Sequence, residues 1–224
     1  MQYSFEYGVN KYDSSDSVDS SVVFYWLNEA QERIIKTRYS GVNPKGESFE
    51  ESQKRTDDLR TLIKESRVYL TSGIDGINKP NSYIAALPAD YMLMVGEEVL
   101  IQFNDLTNTL AITKRVGVTE SSSNTYSNQV NDPYSEHRLH YEIAKPLRLF
   151  KDNYVELVTD GNYIINFYYI RYIKLPTKIY LGGPNCELPE HMHSEIVNYA
   201  VSLYLENIGD NRYQSNKVEL NTIE

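Results

Sequence analysis

The sequence predicts an α+β protein, with a helical body formed by the two ends of the chain and a β-rich insertion in the middle. Three observations lead there. Apolar residues recur at helical spacing near both ends, at Val23, Trp26, Leu27, Ala30, Ile34 and Ile35 and again over residues 196–205. Between residues 68 and 180 the spacing shifts towards two, the period of strands. The 224 residues are enough for one domain with a sizeable core and too few for two comfortable ones.

Residues 1–21 read as an extended N-terminal arm, because the Ser/Asp-rich run around Ser14-Ser15-Asp16-Ser17 offers little apolar surface to offset the entropy of ordering. A single domain follows over residues 22–209. Its first helix spans residues 22–39, capped by Asp19, Ser20 or Ser21 and ended by Gly41 and Pro44. Ser48-Phe49-Glu50-Glu51 has the pattern of a capping box, which predicts a second helix over residues 49–66 with a narrow stripe of Phe49, Leu59, Leu62 and Ile63.

Strands are predicted over residues 68–71, 83–87, 99–103 and 109–113. Residues 154–159 and 162–174 flank Asp160-Gly161, a dipeptide that suits a tight hairpin turn, so the two are expected to pair. The second of them is bulky at nearly every position, from Tyr163 through Ile173, and is expected to be covered on both faces. Residues 119–132 are Ser/Asn-rich and aperiodic, and read as a long exposed loop. A last helix over residues 189–208 starts at Pro189 and stops at Gly209. It is apolar nearly all round, which predicts burial on more than one side, either as the central core helix or against another subunit. Residues 210–224 form a polar C-terminal tail.

Composition narrows the function. With 22 basic and 31 acidic residues the formal charge is -9, which repels phosphate, so tight sequence-independent nucleic-acid binding is not expected. Cys186 is the only cysteine, which rules out an intrachain disulfide and any multi-cysteine zinc site. The first ten residues lack the pattern of a signal peptide, and no stretch reaches the length of a membrane span, so synthesis in a reducing cytoplasm and no membrane contact are expected. The 20 tyrosines against 6 phenylalanines make the aromatic content amphipathic. That suits surfaces buried against a partner, and equally suits a tyrosine-rich β-domain.

Catalytic and metal chemistry finds little footing. His191 and His193, beside Glu190 and Glu195, are two apart on a helix and point in divergent directions. His137 and His140 have better spacing but no acid or thiol at ligand distance in the pattern. Adjacent carboxylates such as Glu50-Glu51, Asp57-Asp58 and Glu97-Glu98 project apart. Cys186 sits in no nucleophile signature, and Gly182-Gly183 lacks the lysine of a phosphate loop. Neither an enzyme nor a cofactor or metal site is expected.

Several segments, in order, carry a resemblance. They are Val23-Phe24-Tyr25-Trp26-Leu27-Asn28-Glu29-Ala30-Gln31-Glu32-Arg33 with Thr37-Arg38-Tyr39-Ser40-Gly41, then Leu87-Pro88-Ala89-Asp90-Tyr91 and Lys145-Pro146-Leu147-Arg148. Tyr169-Ile170-Arg171-Tyr172-Ile173-Lys174-Leu175-Pro176, Leu188-Pro189-Glu190 and Asp210-Asn211-Arg212-Tyr213 complete the set. The chain resembles the ring or adaptor proteins at the portal vertex of short-tailed bacteriophages, most closely those of crAss-like phages. That resemblance implies a structural virion protein, assembled as a closed ring of commonly about twelve copies between portal and tail. Its partners would be further copies of itself, the portal protein and adjacent ring or tail proteins, with genomic DNA only as passing cargo. Candidate subunit-contact residues are Trp26, Tyr39, Tyr168, Tyr172, Tyr199, Tyr204, Arg212 and Tyr213. The competing readings are another neck or tail completion protein and, more distantly, a ligand-binding β-domain.

Overall fold

The computed structural model describes residues 1–9, 18–40, 52–74, 77–103, 112–138, 143–210, 212 and 214. The elements run α1 (Gln2–Gly8), α2 (Ser20–Tyr39), α3 (Gln53–Leu59), β1 (Ile63–Val68), β2 (Leu70–Ser72), β3 (Ser82–Ala86), β4 (Tyr91–Phe103) and β5 (Ile112–Gly117). Then follow β6 (Thr119–Glu120), α4 (Tyr126–Asn131), β7 (Leu147–Phe150), β8 (Tyr154–Val158), β9 (Tyr163–Lys174) and α5 (His193–Ile208). Mixed α+β is therefore the class. The chain divides into two compact units, one of Met1–Ile63 with Leu175–Glu224 and the other of Lys64–Lys174.

The first unit is helical. Asp19 caps α2 by accepting a hydrogen bond from the Ser21 amide, and Val23, Leu27, Ala30 and Ile35 line its buried face. Glu29–Arg33 and Glu32–Lys36 pair along its wet side. Gly209, at φ 68°, ends α5 in the left-handed conformation, with the Asp210 amide returning to the Leu205 carbonyl.

The start of the chain departs from the expected arm. Residues 2–8 form α1, Phe5 is fully buried and meets Tyr204 edge-on at 5.7 Å, and a Cβ on Gly8 would lie 3.0 Å from Val201. Phe5 and Val9 provide the apolar anchors that the polar run after them lacks. The all-round apolar character of α5 is thus met, on this side, by the chain's own first helix. Residues 10–17 of the expected arm lie outside the described residues, as do the capping box at residues 48–51, His140, Tyr213 and residues 215–224. The second helix is shorter than expected: α3 gives way to a 3-10 turn at Arg60–Leu62, and Ile63 already opens β1. The β-branched Ile63 and Val68, spaced along a strand that buries Val68, override the helical reading.

The second unit is a sandwich of two sheets, ordered β1-β9-β4-β5 and β2-β3-β8-β7-β6. Val99, Ile101, Tyr163, Ile165, Tyr168 and Ile170 of the first sheet face Ala85, Val155 and Leu157 of the second in one core. The expected hairpin between β8 and β9 does not form, since the two strands belong to different sheets. Gly161 does take a positive φ of 90°, but Thr159 is bonded to the Asn81 carbonyl through both its amide and its hydroxyl, which redirects the chain across the sandwich. β9 pairs instead with nearly the whole of β4.

A register shift between Leu100/Phe167 and Ile101/Ile165 leaves Asn166 as an extra residue, so the inward positions change from Tyr163 and Ile165 to Tyr168, Ile170 and Tyr172. The strand covered on both faces is β8, not β9: Val155 and Leu157 enter the sandwich, while Val158 joins Leu147 and Leu149 beneath Tyr126 and Val130 of α4. That helix lies in the segment expected to be a bare loop. Thr125 and Ser122 hold its start through paired side-chain and backbone bonds.

Candidate subunit-contact surfaces

Of the candidate contact residues, Tyr168 and Tyr172 are corrected by burial. Tyr168 is fully buried and donates its hydroxyl to Glu97 at 2.7 Å, and Tyr172, 3% exposed, donates to Asp90 at 2.9 Å. Both rings serve their own core, because the extra residue at Asn166 turns the even-numbered positions inward. Trp26 is half-buried and edge-on to the exposed Tyr25 at 5.1 Å. Tyr39, Tyr199 and Tyr204 are half-buried, which leaves part of each ring open. Arg212 is exposed but turns back on its own chain, pairing with Asp210 at 2.7 Å and reaching the Val9 carbonyl at 3.4 Å. The guanidinium holds the Asp210 carboxyl down at about 2.

The acid and base candidates are engaged in structure. His191 meets Asp58 at 2.9 Å and His193 meets the Leu188 carbonyl at 3.1 Å, so the two rings serve separate partners. Asp58, 1% exposed, also stands 3.3 Å from Arg38, which donates to Glu195 at 2.7 Å and so ties α2, α3 and α5 together. His137 is buried against Ser135, and burial lowers its pKa. Glu97 points into the sandwich towards Arg148, whereas Glu98 pairs on the outside with Arg115. Among the described residues no group of His, Cys, Asp and Glu is placed to hold a metal ion, and no helix is long and apolar enough to cross a membrane.

Cys186 donates its thiol to the Gln31 side chain at 3.2 Å, and burial pushes its pKa up. Cys186 is half-buried, and a thiol kept protonated is a poor nucleophile. Alkylation by iodoacetamide at pH 8 is expected to run at least about tenfold slower in the folded chain than in urea. Equal rates would show the thiol to be open.

Among the described residues, three surfaces combine aromatic or apolar groups with exposure. The outer face of the first sheet carries half-buried Phe167 and Tyr169, with Arg67 4.7 Å over the first ring and Arg115 4.0 Å over the second. In the helical unit, the turn at residues 180–183 exposes Tyr180 by 60% and Leu181 by 70%. In the sandwich unit, Leu87, Pro88, Tyr91 and Phe150 wall an open groove of about 720 Å³, with Lys151, Asp152 and Asn153 at its rim. Sequence reading singled out neither the turn nor the groove as a contact site. The signal lay in an aromatic-leucine pair set on Gly182-Gly183, and in Leu87-Pro88.

Aromatic, arginine and apolar groups stand exposed on ordered elements, the kind of surface that protein contacts use. Residues 4–217 match the family described as phage tail ring protein 3/4, and the chain belongs to that family of bacteriophage structural ring proteins. It is similar to Ring protein 4/5 of Bacteroides phage crAss001, with 28% identity over 215 residues that cover 88% of this chain and 82% of the relative.

Proposed function

We propose that this protein is a structural subunit of the virion neck, forming a closed homo-oligomeric ring of about twelve copies between portal and tail. The observation that carries the reading is the family match across residues 4–217. The genome passes through the ring as cargo, and the acidic balance of -9 suits a conduit that does not hold phosphate. In this reading the helices from the two chain ends form the body, and the β-rich stretch is an insertion into it. Further copies, the portal and the adjacent ring or tail proteins are its partners. The family's description as tail rings favours a place on the tail side of the neck.

Electron microscopy tests this directly. Purified full-length chain is expected to give closed rings, and antibody labelling of particles is expected to mark the neck. A monomer at micromolar concentration, or label elsewhere on the particle, would overturn the proposal.

A further inference from the structure

We propose that the Tyr180-Leu181 turn of one copy seats in the groove walled by Leu87, Pro88, Tyr91 and Phe150 on the next copy, with Lys178 meeting Asp152. The inference rests on the ring reading, because a ring closes through heterologous contacts that join two different surfaces of the same chain. The turn and the groove are two such surfaces.

The turn is built before it binds. The Asn28 carboxamide bonds both backbone groups of Ile179, accepting from its amide at 2.8 Å and donating to its carbonyl at 2.9 Å. Beyond Ile179 the Gly183 amide closes on the Tyr180 carbonyl at 2.9 Å, and Gly182 supplies the positive φ of 73° that the reversal requires. A Cβ on Gly183 would fall within the Tyr180 ring, so the glycine is what lets the ring lie across the turn. On the other side the Thr177 amide is held by the Glu187 carboxylate at 2.9 Å. Little conformational entropy is left to lose on docking, yet Leu181 stays 70% exposed. An apolar leucine at the tip of a pinned turn has no role in its own core.

The groove matches it in chemistry. Its lining is about half apolar, from Leu87, Pro88, Ala89 and the rings of Tyr91 and Phe150, and half polar, from Lys151, Asp152 and Asn153; Phe150 remains 45% exposed. Its volume of about 720 Å³ is ample for one tyrosine and one leucine side chain. Charge complements shape. Lys178, three residues before the tip, is exposed and makes no ion pair among the described residues. At the groove rim, Lys151 leans towards Glu156 at 3.8 Å, while among the described residues the Asp152 carboxylate meets the Asn153 amide group at 3.1 Å and no cation. A cation beside the knob and an anion beside the hole are left open, one on each surface.

Reciprocal charge reversal tests the contact in purified full-length chain, by sedimentation and electron microscopy. Lys178→Asp and Asp152→Lys, each alone, set like charges against each other and are expected to weaken ring assembly at least about tenfold. The two together in one chain are expected to restore it. Leu181→Ser is expected to weaken assembly without rescue by either. Circular dichroism should stay unchanged throughout, since all three positions are exposed. If the parent forms rings and the single reversals assemble as well as it does, or the double reversal fails to restore, the contact is overturned while the ring reading stands. If the parent forms no ring, the ring reading falls and takes this contact with it.

Discussion

Arg148→Ala is expected to destabilise the sandwich unit by about 3–5 kcal/mol, because it strands a carboxylate inside. Arg148 is 6% exposed and reaches from β7 to Glu97 of β4 at 2.8 Å, bridging the two sheets, while its other terminal nitrogen meets the exposed Glu120. Without the guanidinium, Glu97 keeps the Tyr168 hydroxyl at 2.7 Å as its one hydrogen-bond donor among the described residues. Burial already raises the Glu97 pKa, against the lowering effects of Tyr168 and Arg148, and removing Arg148 raises it further. A folded-state pKa above the unfolded one means that the native state holds the proton more tightly. Stability then falls as pH rises from the ordinary carboxylate range through the folded value. The deficit of the variant should therefore be smallest near pH 4, where Glu97 is protonated, and largest at neutral pH. Urea unfolding followed by circular dichroism at both pH values measures it. A deficit that is the same at the two, or below about 1 kcal/mol at pH 7, would contradict this account of the bridge.

Phe5→Ala is expected to cost the helical unit about 3–5 kcal/mol, the range for truncating a fully buried aromatic ring. The ring is 0% exposed and packs edge-on against Tyr204, and α1 covers the Val201 side of α5. For a chain of this size that corresponds to a fall of roughly 10 °C in thermal midpoint. Deleting residues 1–9 should do at least as much, since it also removes Val9, which is 1% exposed. An unchanged midpoint in the Phe5 variant would show that α1 is only laid on the surface, as an arm would be.

These two sites illustrate what could be read from the sequence. Asp19 before α2 and Gly209 after α5 act on their immediate neighbours, and such local devices announce themselves. The mixed α+β class followed from the change in period. The anchors of α1 are two residues in nine, too few to outweigh the polar run behind them in any compositional window. The β8–β9 turn misled because Asp160-Gly161 reports backbone conformation, not pairing; the partner choice was set by Asn81, some eighty positions away. Tyr168 and Tyr172, candidates for subunit contact, are instead buried in their own core for a related reason. A single extra residue at Asn166 reverses the alternation of every side chain beyond it. Contact surfaces were the least legible, since exposure of Leu181 or Phe150 is a property of the folded chain.

The order in which the chain leaves the ribosome interacts with the division into units. The sandwich unit is one continuous stretch, Lys64–Lys174, complete in itself as soon as β9 has emerged. The helical unit is not, for α2 must wait for α5, and the Arg38–Glu195 bond joins residues 157 positions apart. Domains fold as they become available during synthesis, at about 5–20 residues per second. The groove is therefore finished while the chain is still tethered, and the knob, held by Asn28 of α2, is finished only afterwards. If the turn and the groove meet as proposed above, nascent chains on one message present the groove before the turn is held.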